Sequence, residues 1–120
     1  MADMIDPATI HFYHAHVYYG PASREAAASL REALEHRFEV EMGRWREEPV
    51  GPHPQPMYQV KFAVGEFARI VPWLMLNRLE LTILVHPDTD DAYRDHALNA
   101  LWLGEKLKLR LDVFHATKQA

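Results

Sequence analysis

For its size the chain is rich in one chemically versatile side chain. Eight of its 120 residues are histidine, against an ordinary frequency of roughly 2%. Imidazole ligates metals and exchanges protons near neutral pH. His14 and His16 form a His-x-His pair. On a strand this spacing sets two rings side by side on one face, which suits a metal ion; the same spacing also arises with no metal. His53 lies in Gly51-Pro52-His53-Pro54, either a stiff platform for a ligand or an ordinary proline-rich connector. His86 precedes Pro87 and either closes a strand or reaches the face of the pair. His96 follows Asp95 and reads as a surface residue or a proton carrier. His11, His36 and His115 read as structural or solvated. Trp45, Trp73 and Trp102 read as core or interface residues.

Other chemistries are poorly served. The chain has no cysteine, which removes disulfides, thiol catalysis and cysteine-ligated zinc or iron–sulfur clusters, and fits a reducing cytoplasm. Its two serines, Ser23 and Ser29, lie in or beside one helical stretch. Neither a G-x-S-x-G elbow nor a glycine-rich phosphate loop is present. What remains is histidine and metal chemistry, or binding without chemistry. Thirteen Lys+Arg against seventeen Asp+Glu leave a charge of −4, contrary to the basic surface that non-specific nucleic-acid binding needs. No stretch approaches the roughly 20 apolar residues that span a bilayer; the longest run, Ile70 to Leu76, contains Pro72. Met1 to Pro7 carries two Asp and no basic residue, unlike a secretory leader. With 48% apolar and 25% charged residues, residues 1–120 read as one globular domain.

The elements that must position the histidines follow from periodicity. Ile10 to Tyr19 predicts a strand with His14, His16 and Tyr18 on one face. Ser23 to Arg37 predicts an amphipathic helix capped by Ser23, and Phe38 to Met42 a short strand. Arg44 to Pro56 holds Gly51 and four prolines and predicts a loop. Met57 to Val64 predicts a strand, and Glu66 to Leu79 a helix that Pro72 delays or kinks. Glu80 to His86 predicts a further strand. Asp90 or Asp91 caps a second amphipathic helix carrying Leu101 and Trp102 and ending at Gly104. Leu107 to Val113 alternates like a strand.

The order matches the α+β, ferredoxin-like β-α-β-β-α-β plan: an antiparallel sheet with helices on one face, plus a C-terminal helix and strand. The purely apolar parity of each strand should face the helices. The other parity carries His14, His16, Tyr18, Gln59, Lys61, Thr82 and His86. With the first strand between the third and fourth, these residues converge on one polar patch, and His53 hangs over it.

The chain resembles the small DOPA 4,5-dioxygenase family of aromatic-ring-cleaving enzymes. The resemblance rests on Tyr13-His14-Ala15-His16-Val17-Tyr18-Tyr19, on Gly51-Pro52-His53-Pro54 with Met57-Tyr58-Gln59-Val60-Lys61-Phe62, and on Leu84-Val85-His86-Pro87-Asp88-Thr89 with Asp95-His96 and Trp102-Leu103-Gly104. It implies extradiol cleavage of a catechol such as L-DOPA by O2 and non-haem Fe(II), with Zn(II) as an ion the same site carries on purification. Carried over by residue, His16, His53 and His86 are the metal positions, and His14 and His96 come next. An imidazole's ordinary pKa of about 6.5 suits His96 or His14 as the base that takes and returns a proton. Asp88, Asp90, Glu66 and Glu80 are the carboxylates that could complete a two-His-one-carboxylate set. Face parity adds Tyr18 to orient an oxygen, Lys61 to hold a substrate carboxylate and Gln59 to bind substrate. Two other classes stay open: a non-catalytic ferredoxin-like dimer that binds a metal or small aromatic molecule, and a zinc hydrolase or lyase. A bare sheet face further predicts a homodimer.

Overall fold

The computed structural model describes residues 3–114. Strand β1 (Phe12–Tyr18) leads through a 3₁₀ turn at Pro21–Ser23 into helix α1 (Arg24–Arg37). β2 (Glu41–Met42), β3 (Met57–Phe62), helix α2 (Phe67–Asn77), β4 (Ile83–Asp88), helix α3 (Ala92–Ala97) and β5 (Leu101–Leu103) follow. The sheet order is β2-β3-β1-β4-β5, with every pairing antiparallel. The expected α+β plan, with β1 between β3 and β4, is the one observed. None of these helices is long and apolar enough to cross a membrane.

α1 forms because Ala27, Leu30 and Leu34 repeat at helical spacing and are buried. Ser23 stands at its N-cap, yet its hydroxyl accepts from the Gly20 amide at 3.0 Å and makes no helix-capping bond. α2 buries Ile70, Val71 and Leu74 and carries Pro72 within it. Pro72 is exposed, so its ring projects away from the core rather than into it. These helices cover one sheet face, where Ala15, Val17, Val60, Phe62, Leu81, Ile83 and Val85 complete the main core. The apolar parity therefore faces the helices, as the alternation required.

Three expectations need correction. β4 does not stop at His86 but runs through Pro87, which lies opposite Tyr13. Proline is tolerated because β5 pairs only with Ile83 to Val85, which leaves that side of β4 free of a ladder. The third helix ends at Ala97, not at Gly104, and Leu101, Trp102 and Leu103 pair with β4 as a strand. A three-residue apolar run fits either period, and the open edge of β4 decides it. The Leu107–Val113 stretch makes no strand: Leu107 and Leu109 pack over Tyr18, Met57, Leu84 and Trp102, and Leu111–Phe114 forms a 3₁₀ turn. The Arg110 amide donates to Pro52 O at 2.8 Å, tying this segment to the proline-rich loop. The second sheet face is thus covered in part by the chain's own C-terminal segment, and the bare face that argued for a homodimer is absent there. His115 lies outside the described residues.

Between α2 and β4 the chain turns through Leu79 (φ 54°) and Glu80 (φ 64°), closed by a Leu81 N–H to Arg78 O bond of 3.0 Å. Two successive left-handed residues make a type I′ turn, which Asn-Gly prefers. Both side chains are exposed, so little opposes their replacement. The double variant Leu79→Asn/Glu80→Gly is expected to raise unfolding free energy by about 1 kcal/mol, read as a higher urea midpoint at unchanged slope.

Candidate metal centre

β1 supplies the first two side chains. Its register sets His14 opposite Lys61 on β3 and opposite His86 on β4, and sets His16 opposite Gln59 and Leu84. Opposed residues share a face, so His14, His16 and His86 stand together. The proline-rich loop brings His53 over them, its ring centroid 4.1 Å from that of His16. α3 brings His96 from the other side, 4.0 Å from the His86 ring. Phe114 closes over His96 at 4.8 Å. Four separate stretches of chain therefore converge five imidazoles.

The nitrogens group in two sets. The ligand atoms of His14, His16 and His86 lie within 4.8 Å of one another, and so do those of His16, His53 and His96. His16 belongs to both. His16 Nε2 and His86 Nε2 are 3.0 Å apart. Two nitrogens each about 2.1 Å from an ion, and at right angles about it, are also about 3 Å apart. The separation fits neighbouring ligands of an octahedral ion as well as it fits an N–H···N hydrogen bond.

Hydrogen bonds orient the rings. His86 Nδ1 donates to Pro87 O and His96 Nδ1 donates to Ala92 O, each at 2.8 Å. Each bond leaves an unprotonated Nε2 facing the cluster, the usual support of a metal-binding imidazole. His53 Nδ1 bonds the Tyr18 hydroxyl at 2.7 Å. Because that hydroxyl can donate or accept, it can set either His53 tautomer. His16 Nδ1 is buried with no hydrogen-bond partner. A polar atom buried this way calls for an explanation, and a bound species beside it is one.

His16, His53 and His86 are 3 to 4% exposed. Burial is the main force on all five rings and disfavours the imidazolium. It lowers His14 and His53 to about 4 and His86 to about 3, and pulls His16 and His96 down as well. Like-charge repulsion between neighbouring imidazoles adds to the effect on the first four. At neutral pH the cluster is therefore uncharged, the form that binds a metal.

The family model for the DOPA 4,5-dioxygenase family matches residues 13–113, which include every member of this cluster. The chain belongs to the DOPA 4,5-dioxygenase family. It is similar to a crystal structure from Nostoc punctiforme described as "a putative dioxygenase", with TM-score 0.94 and 52% identity over 95% of this chain and 99% of that one. It is 38% identical over 119 residues to an uncharacterized 21.2 kDa protein of Botryotinia fuckeliana, covering 89% of this chain and 65% of that protein. It is 33% identical over 108 residues to the DOPA 4,5-dioxygenase of Amanita muscaria, covering 82% of this chain and 47% of that enzyme. The chain thus spans less than two thirds of the length of these two fungal relatives.

Within this member of the DOPA 4,5-dioxygenase family, the residues expected at the site fall as follows. His14, His16, His53, His86 and His96 come together, with His14 grouped by its nitrogen with His16 and His86, and His53 grouped with His96. Tyr18 is buried and held by His53. Gln59 and Lys61 share the face, and Lys61 also lies 3.7 Å from Glu41 and over the Phe12 ring. The four carboxylates considered as ligands do not join either imidazole set. Asp88 and Asp90 gather instead around exposed His11, Glu66 pairs with Arg69, and Glu80 sits in an exposed turn. His36 is exposed. Sequence reasoning passed over Asp95, which is buried and accepts from the Thr89 amide at 2.8 Å and hydroxyl at 2.6 Å. Asp95 and the N-cap Asp91 fix the short helix that presents His96. Neither signal exceeds an ordinary helix start in the sequence.

The lowered imidazoles link stability to pH. Below the ordinary value of 6.5 the unfolded chain takes up protons that the folded, metal-free cluster refuses. Stability is therefore undiminished by these groups above pH 6.5 and falls as pH drops toward 4, by up to about 1.4 kcal/mol per pH unit for each imidazole. The melting temperature of metal-free protein should decline steeply between pH 6.5 and 5. His53→Asn should flatten that decline.

Proposed function

We propose that the protein is an extradiol-type, ring-opening dioxygenase acting on a catechol such as L-DOPA with O2 and non-haem Fe(II). One observation carries the proposal: five uncharged imidazoles from four stretches of chain, three of them buried, converge in two sets that share His16, in a member of the DOPA 4,5-dioxygenase family. In the net reaction both atoms of O2 enter the product, and the ring C–C bond beside the diol breaks. The electrons come from the catechol, so no external reductant is consumed.

His14, His16 and His86 are the residues assigned to hold the metal. Their nitrogens form one set, and the His16–His86 separation suits adjacent ligand positions. Three protein ligands would leave positions for both catechol oxygens and O2. The bound ion supplies Lewis acidity toward the catechol oxygens and electronic coupling to O2. The remaining roles belong to the chain itself. His53 and His96 stand next to that set, neutral at working pH, and are assigned to take the catechol proton and return one. His53 is coupled for this by Tyr18, whose hydroxyl follows a change of tautomer by rotating. Burial pushes the Tyr18 phenol upward, so it keeps its proton and serves as a hydrogen-bond relay rather than as a base. Trp102, Leu107, Leu109 and Leu84 limit water at the back of the site. Gln59 and Lys61 stand at its rim.

The test is anaerobic loading with Fe(II), then L-DOPA, then air. The expected result is O2 uptake matched one-to-one by a yellow ring-opened product, with none from Zn(II)-loaded protein. Catechol binding without oxygen uptake would point to the non-catalytic binder, and activity with Zn(II) alone to a hydrolase or lyase. His16→Ala and His86→Ala should lose iron and turnover together, measured by metal analysis and oxygen electrode. His53→Ala should keep its iron while turnover slows roughly 10²- to 10⁴-fold.

A further inference from the structure

We propose that Arg44 and Arg46 form a carboxylate-binding subsite beside the imidazole cluster and select substrates that carry an acidic substituent. The identity of the reacting ring rests on the ring-cleavage reading above; the subsite itself does not.

A cavity of about 220 Å³ opens on the histidine side of the sheet, and its lining includes Arg44, Arg46, His53 and Gln59. His53 is the shared wall: one side contributes to this cavity, and its ring lies 4.1 Å from that of His16 in the cluster. A ligand in the cavity is therefore next to the imidazoles. Among the described residues neither guanidinium has an ion pair or side-chain hydrogen bond, whereas Arg24, Arg69 and Lys61 are paired with Glu47, Glu66 and Glu41. Two unpaired guanidiniums lining one concavity offer forked donors that match the two oxygens of a carboxylate. Lys61, the cation that face parity suggested for this role, is already occupied.

Backbone register supports the same conclusion. Met42 lies opposite Val60, the Gly43 amide donates to Gln59 O at 2.8 Å, and Arg46 bridges Met57 with bonds of 2.8 and 3.0 Å. Arg44 and Trp45 together therefore oppose the single residue Tyr58, which is a β-bulge. In an unbroken ladder Trp45 would fall opposite Met57, on the histidine face. The extra residue lets Trp45 pack on Tyr58 and Tyr19 in the core and brings Arg46 to the face of Met57. Gly43 keeps the approach open, since a Cβ there would stand 3.2 Å from Gln59 Cβ. The bulge thus re-aims one cation toward the site.

The probes are 3-(4-hydroxyphenyl)propanoate and its uncharged counterpart 4-ethylphenol, single phenols without the vicinal diol of a catechol, titrated by calorimetry into the metal-loaded protein. The acid should bind at least tenfold more tightly at low salt, and 0.5 M salt should weaken the acid alone. Arg44→Gln and Arg46→Gln should each remove most of that advantage, leaving 4-ethylphenol affinity and melting temperature unchanged. Equal affinity for the two probes, no measurable binding of the acid, or an advantage that survives both substitutions would overturn the subsite. Turnover separates the two ideas. Arginine-dependent binding of the acid with no catechol opened leaves the subsite standing and removes the ring-cleavage reading. Equal kcat/KM for L-DOPA and dopamine does the reverse.

Discussion

The hydrogen-bond ladder of β1 between β3 and β4 is the constraint on which the site depends. It sets His14 between Lys61 and His86, and His16 between Gln59 and Leu84. Side chains alternate with a period of two, so a slip of one residue would send His14, His16 and Tyr18 into the helix-packed core and bring Ala15 and Val17 outward. Burying three polar rings in an apolar core would be far more costly than the native arrangement. The core of Ala15, Val17, Val60, Phe62, Ile83 and Val85 therefore fixes the register and thereby the opposite face. Packing on one side of the sheet holds the imidazoles in place on the other.

The second requirement is that the imidazoles be buried without being charged. Backbone carbonyls at Pro87 and Ala92 take the Nδ1 protons of His86 and His96, which orients each ring and leaves its second nitrogen free. The loop carrying His53 is held by a different kind of contact. Trp45 meets Tyr19 and Tyr58 edge-to-face and lies under the Arg24 guanidinium at 3.5 Å, while Glu47 receives bonds from Arg24 and the Tyr19 hydroxyl. Cation–π contact and ion pair together clamp the loop against α1. The Arg110–Pro52 bond secures its far end. A proline-rich loop is stiff but not self-docking, and these contacts supply the docking.

Much of this was legible from residue types. Alternation in β1, β3 and β4 separated core parity from site parity, because one sheet face is apolar throughout. The Ala27, Leu30, Leu34 repeat marked α1. The C-terminal segment is not legible in the sequence for a physical reason: Leu101 to Leu103 is too short to show a period, and Leu107 and Leu109 alternate like a strand but pack over Tyr18, Met57 and Leu84 instead of joining the sheet. His96 could be named but not placed, because its approach depends on where α3 stops and on Asp95 gripping Thr89. The carboxylates were misjudged for the opposite reason, since nearness in sequence to His86 or to a helix start does not bring Asp88 or Glu66 to the cluster.

The amino-acid order alone determined the sheet-and-helix plan, the face on which His14, His16 and His86 stand, and the lack of any cysteine. Those are local properties, set by a two-residue period and by which side chains exist. Only the tertiary structure decided which imidazoles share a set of nitrogens, which carbonyls fix their tautomers, that the C-terminal segment covers the second face, and that a bulge turns Arg46 toward the site. These depend on contacts between residues tens of positions apart, where small shifts in register or helix length change which atoms meet.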